Sequence, residues 1–106
     1  MNKVVIPVAI DFGTDLSSRH RAADLRLTVE LRCAAGDLVV IDLNQVRSVS
    51  HSFADELFAV LVSEHGDEWF RSHVKVENAT PAVRLTILES ILLRLECAPA
   101  LSLIHI

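Results

Sequence analysis

The stretch DLVVIDL, residues 37–43, is a short, continuous apolar run bounded by Gly36 and Asn44. A strand covered on both faces is written this way, because a parallel sheet packed between other layers leaves no solvent side to demand alternation. The run therefore predicts the centre of a sheet. Upstream, KVVIPVAI (residues 3–10) is β-branched and apolar and stops at Asp11-Phe12-Gly13, which reads as a first strand. Pro7 has no N–H to give to a ladder and so points to an edge position or a bulge. Between these strands, GTDLSSRHRA (13–22) is polar, whereas ADLRLTVELRCAAG (23–36) repeats apolar residues at Leu25, Val29 and Cys33 before Gly36. That spacing predicts an amphipathic helix ended by a glycine stop.

Downstream of the central run, the polar link NQVRSVS (44–50) leads into HSFADELFAVLVSEHG (51–66). Ser52, followed three residues later by Asp55, makes an approximate capping box, which predicts a helix with Ser52 as its cap and Phe53, Leu57, Val60 and Leu61 on the inward face. Asp55 and Glu56 then complement the positive end of the helix dipole. HVKVENA (73–79) alternates like a strand, and Thr80-Pro81 opens a last helix with a cap residue and a first-turn proline. Val83, Ile87, Leu88, Ile91, Leu92 and Leu95 form its predicted buried stripe, which leaves Leu85 and Leu93 outside. Trp69 and Phe70, between the second helix and the last strand, are expected to seal the lower edge of the core, with a partner contact as the other use of such residues. The order is strand, helix, strand, helix, strand, helix (β-α-β-α-β-α), an α/β domain with a small, mainly parallel sheet and helices packed on it.

Composition limits the functions such a domain can have. The chain has 106 residues, is 51% hydrophobic and carries a net charge of −4, which suits one core and one site. Its 10 Lys and Arg are scattered, so it has no basic stripe for a phosphate backbone, and nucleic acid is not an expected partner. The apolar runs are interrupted by charge, and the start MNKVVIPVAIDFG has no small-residue cleavage site after its apolar segment. A soluble, cytoplasmic protein without a membrane partner is the expectation. Cys33 and Cys97 sit in apolar helical context with no CxxC, and the histidines His20, His51, His65, His73 and His105 show no metal-ligand spacing. Buried thiols, no metal and no cofactor follow. The three glycines are isolated, so there is no phosphate loop, and GxSxG is absent.

The last six residues, LSLIHI (101–106), resemble the translation of a transposon end used as a sequencing adapter. The domain is accordingly expected over residues 1–100, with 101–106 as a non-native tail kept out of fold reasoning.

VVIDLNQVRSVSHSFADELFAVL (39–61) resembles the strand, link and helix of STAS-type domains, the fold of anti-sigma-factor antagonists. It is more closely similar to the bacterial STAS-like family of unknown function. DFG (11–13) and SRHRAADLR (18–26) resemble that family's first strand end and following segment, and VKVENATPAVRLTI (74–87) its last strand, Asn turn and final helix. The likeness spans roughly residues 8–96 as short motifs. In antagonist members it implies a serine at the helix start that is phosphorylated by a partner kinase with a histidine-kinase-like ATP site, with binding lost on phosphorylation. Here the aligned position is His51, flanked by Ser50 and Ser52.

These observations predict a non-catalytic regulatory module that binds a protein partner, and the resemblance implies that the partner is a histidine-kinase-like ATPase or anti-sigma-type kinase. The expected contact face is the strand-to-helix corner with Ser48, Ser50, His51, Ser52, Asp55 and Phe58, and Arg19 and Arg21, either side of His20, are a second element suited to an acidic surface or a phosphate. Ser50, His51 and Ser52 are the candidate phosphoacceptors. Two other readings stand beside this one. A small hydrolase or transferase would use Ser52 with a distant histidine such as His73. A structural or oligomer-forming domain would use the apolar excess of the last helix, where Leu85 and Leu93 fall outside the stripe.

Overall fold

The computed structural model describes residues 2–104, with side chains described as far as Glu96. Cys97, His105 and the side chains of the 101–106 tail therefore lie outside the described residues. Three parallel strands form the main sheet: β1 (Lys3–Pro7), β3 (Leu38–Asp42) and β5 (Val74–Glu77), in the spatial order β1-β3-β5. The DLVVIDL run is thus the central strand, pairing Val39 with Val4 on one side and Val74 on the other. Val39, Val40 and Ile41 are fully buried. Pro7 ends the edge strand β1, where its missing N–H is tolerated.

Three helices accompany these strands in the predicted order: α2 (Arg19–Ala34), the helix that begins with α3 (His51–Ala54), and α6 (Pro81–Ile104). Their apolar faces meet the sheet in one core built around Leu25, Val29, Ile41, Phe53, Leu61 and Val83. Gly36 and Gly66 follow helix ends at φ 92 and 97, the left-handed side of backbone space that makes glycine the economical stop.

The chain departs from the sequence reading at four places. Strand β1 stops at Pro7, and residues Val8–Phe12 turn into a short helix, α1, whose Val8 is fully buried. Helix α2 begins four residues earlier than the apolar repeat suggests, because Ser18 caps it, its hydroxyl accepting from the Arg21 N–H. A second, two-stranded parallel sheet joins β2 (Asp15–Leu16) to β4 (Ser48–Val49), segments too short to show alternation. Finally, Trp69 and Phe70 lie on a helix, α5 (Asp67–His73), and both are half-buried against the core. Trp69 stacks between His65 and His73, four residues away on each side, with ring centroids 4.1 and 4.7 Å apart.

The last helix also sits differently on the core. Thr80 caps it as expected, accepting from the Val83 N–H, and Val83 and Ile87 are buried. Leu88 and Leu92, assigned to the buried stripe, are 51% and 58% exposed instead. The inward face runs through Val83, Ile87, Ser90 and Arg94, with Ile91 of the expected stripe half-buried beside them, and polar partners on the neighbouring helix hold Ser90 and Arg94.

Candidate functional site

The C-terminal ends of β1 and β3 lead to the N-termini of α2 and α3, and the small β2–β4 sheet draws these two starts together. The Ser50 N–H donates to the Leu16 carbonyl at 2.8 Å, and the Ser50 hydroxyl donates to the Ser17 carbonyl at 3.3 Å. Ser48 and Arg47 both bond Asp15 at 2.7 Å, and the Ser48 hydroxyl followed by the Arg47 guanidinium holds that carboxyl below its usual range. In a parallel α/β sheet this edge is where ligands and partners are usually met.

Ser50, not Ser52, is the helix cap. Its backbone is extended (φ −73, ψ 158) and its side chain accepts from the Phe53 N–H at 3.1 Å. Ser52 therefore falls at the second helical position, exposed in the first turn, and the expected Ser52–Asp55 capping box does not form. The cause is local: Ser50 offers the same side chain two residues earlier, where the chain is still extended from β4. His51, beside it, is exposed, with Nδ1 3.4 Å from the hydroxyl of the buried Ser90 on α6.

Asp55 opens a π-helical turn, Asp55–Ala59, that continues α3 into α4 (Val60–His65). Such turns inside α-helices are frequent at functional positions. Here Asp55 serves ion pairing more than the helix dipole. Arg94 gives it two parallel bonds, Nε to Oδ1 at 2.8 Å and Nη2 to Oδ2 at 2.7 Å, and Arg19 Nη1 adds a third at 2.9 Å. The Arg94 guanidinium, with Arg19 assisting, holds the Asp55 carboxyl down at about 2 against the opposing effect of burial. Glu56 bonds Arg19 and the half-buried Arg26 of α2. The two acids thus tie α3 to both α2 and α6.

This lattice revises the expected contact face. Phe58 is fully buried, because the π turn is packed between α2 and α6, so it cannot touch a partner. Arg19 is engaged by Asp55 and Glu56, and its charge is already answered within the chain. Arg21 lies over the Phe12 ring, 4.8 Å from its centre, and donates to the Asp11 carbonyl. Ser48, His51 and Ser52 remain exposed and close together on the corner, with the Ser50 cap between them.

Catalytic pairing of Ser52 with His73 is not formed. His73 Nδ1 is bonded to the Trp69 carbonyl on α5, and the Ser–His contact seen among the described residues joins the buried Ser90 to His51 at 3.4 Å. Glu30, Glu64 and His65 bring three ligand-type atoms within 4.8 Å of one another, but Glu30 is already bonded to His65 at 2.8 Å and lies 3.5 Å from Arg26. The Cys33 thiol is buried, and burial pushes it above its usual range. No helix among the described residues is long and apolar enough to cross a membrane.

Sequence reasoning missed the Arg94–Asp55 and Ser90–His51 links. Their one signal is the pair of polar residues, Ser90 and Arg94, four apart and in line with Val83 and Ile87, where an amphipathic helix would place apolar side chains.

Comparison with known proteins bears on the fold more than on the corner. No curated protein and no solved structure gave a match. A family model described as a STAS-like domain of unknown function matches residues 21–84, a stretch that runs from α2 through the central strand, the corner and β5 into α6. With more than half of its length matched and a parallel sheet covered by helices in the expected order, the chain belongs to this family of STAS-like domains.

Proposed function

We propose that the protein is a non-catalytic regulatory module that binds a protein partner through the β4–α3 corner, with Ser48, His51 and Ser52 as its exposed contacts. The observation that carries this reading is the displacement of the cap to Ser50, which frees Ser52 in the first turn of the helix. A hydroxyl there is accessible to a kinase, and a phosphate at the second helical position is favoured by the unpaired N–H groups and the dipole. The same phosphate would add roughly two negative charges to the face a partner reads.

The partner class proposed is a histidine-kinase-like ATPase, of the kind that the resemblance to anti-sigma-factor antagonists implies. Arg19, Asp55 and Arg94 act behind the face as a brace that fixes the direction of the first turn. The test is intact-mass analysis after incubation with ATP and a histidine-kinase-like ATPase of the anti-sigma type, with Ser52→Ala in parallel. One added phosphate that disappears in the variant supports the reading. A phosphate retained by Ser52→Ala moves the acceptor to Ser50 or His51, and no phosphate removes the switch for that partner.

A further inference from the structure

Helix α6 carries a second apolar line on the side turned away from the core. Leu85, Leu88 and Leu92 are 58%, 51% and 58% exposed, and Leu95 is half-buried. Their spacing alternates three and four residues, the repeat by which one helix lays a seam against another. At 3.6 residues per turn, this seam lies roughly 150° around the helix from the inward residues Val83, Ile87, Ser90 and Arg94. Leu85, Leu88 and Leu92 are therefore left more than half exposed by their own domain.

The flanking charges say what covers it. Counting Leu85 and Leu92 as a positions and Leu88 and Leu95 as d positions puts Arg84 at g and Glu89 and Glu96 at e. All three are exposed, and none takes part in an ion pair among the described residues. In a parallel pair of identical helices, a g residue faces the e residue five positions later on its partner. Arg84 of each copy then meets Glu89 of the other. An antiparallel pair would set the glutamates of the e flank against each other. Leu88 and Ile91 also wall an apolar groove of about 210 Å³, with Phe70 and Val76 on its other side, which gives leucines of a second helix a depression to enter.

We infer that the occupant is a second copy of this chain, and that the protein forms a parallel, two-fold symmetric dimer through Leu85, Leu88, Leu92 and Leu95 of α6. The seam is short, so the dimer dissociates in the micromolar range and exchanges readily. Ser90 and Arg94, which face the corner, lie on the other side of the helix, so both corners stay open in the dimer. This inference is independent of the reading given to Ser52.

Sedimentation velocity of the full chain across a concentration series tests it, with circular dichroism as the control for folding. The wild type is expected to pass from monomer to dimer, and Leu92→Glu to stay monomeric with an unchanged spectrum. Arg84→Glu and Glu89→Arg, each alone, replace two attractive pairs by two repulsive ones and weaken the dimer by roughly tenfold. An equimolar mixture of those two variants restores the pairing in a heterodimer and recovers wild-type affinity. A wild type that remains monomeric throughout, a dimer that survives Leu92→Glu, or a mixture no tighter than its components would overturn the proposal.

Discussion

Arg94 on the last helix clasps Asp55 at the start of the π turn with two parallel bonds of 2.8 and 2.7 Å, and so joins elements 39 residues apart at the base of the β4–α3 corner. Bidentate guanidinium–carboxylate pairs are among the stronger polar contacts, and this one is part-buried. It should be visible in the acid stability of the fold. Asp55 is depressed from 3.8 to about 2, first by Arg94 and then by Arg19. A carboxyl whose folded value lies below its unfolded value binds fewer protons in the native state. Its stabilisation is therefore complete above about pH 4 and lost as the pH falls towards about 2. Both arginines are more than a third exposed, so screening limits the contribution to about 1–2 kcal/mol. Urea denaturation of wild type and Asp55→Asn should differ by that amount at neutral pH and converge at the acid end.

The cap assignment separates two neighbouring serines. Ser50→Ala removes the acceptor for the Phe53 N–H and is expected to cost about 1 kcal/mol. Ser52→Ala lies in the exposed first turn and should change stability by no more than about 0.5 kcal/mol. Thermal or urea unfolding of the two variants side by side checks the order, and a larger loss at Ser52 would return the cap to that residue.

Phe58 belongs to the core. Truncation to alanine should cost about 3–5 kcal/mol, the range for a large aromatic removed from a packed interior. Partner binding by whatever fraction remains folded should be unchanged, because the ring is fully buried. A Phe58→Ala protein with wild-type stability would contradict the packing of the π turn between α2 and α6.

Asn78 ends β5 in the left-handed region at φ 61, and its Nδ2 donates to Asp42 Oδ1 at 2.9 Å. The same carboxylate oxygen accepts from the Asn44 N–H at 3.0 Å, and these two donors, Asn78 first, hold Asp42 below its usual range. Asn78→Val forces a β-branched residue into that conformation and should cost about 1–3 kcal/mol. Asn78→Gly keeps the conformation and loses only the bond, so it should unfold at a denaturant concentration between valine and wild type.

How far the sequence could be read depended on the length of each pattern. DLVVIDL identifies the central strand because Val39, Val40 and Ile41, buried together, leave a continuous apolar run, and Thr80-Pro81 marks a helix start because both residues have one strong local role. The small β2–β4 sheet left no trace, since two-residue strands such as Ser48–Val49 are too short to alternate. The strand-to-helix turn is legible but its cap is not, because Ser50 and Ser52 compete for one helix start and the winner depends on where β4 ends. Phe58 looked like a surface residue only under regular helical spacing. The π turn and the helices on both sides of it turn Leu57, Phe58 and Ala59 inward together. The arginine brace was illegible because Arg19, Arg26 and Arg94 come from two other helices, and charge pairing across the fold has no sequence period.

Under the proposed function, a partner reads the first turn of α3 and negative charge at Ser52 controls this reading. That proposal is tested most directly by measuring the affinity of a histidine-kinase-like ATPase of the anti-sigma type for wild type, Ser52→Ala and Ser52→Asp by titration calorimetry. Equal affinity is expected for the first two and a loss of roughly tenfold or more for Ser52→Asp, since an added charge facing an interface costs about 1–3 kcal/mol when it is unpaired. Equal binding by all three would contradict it, and would place the partner on another face of the domain.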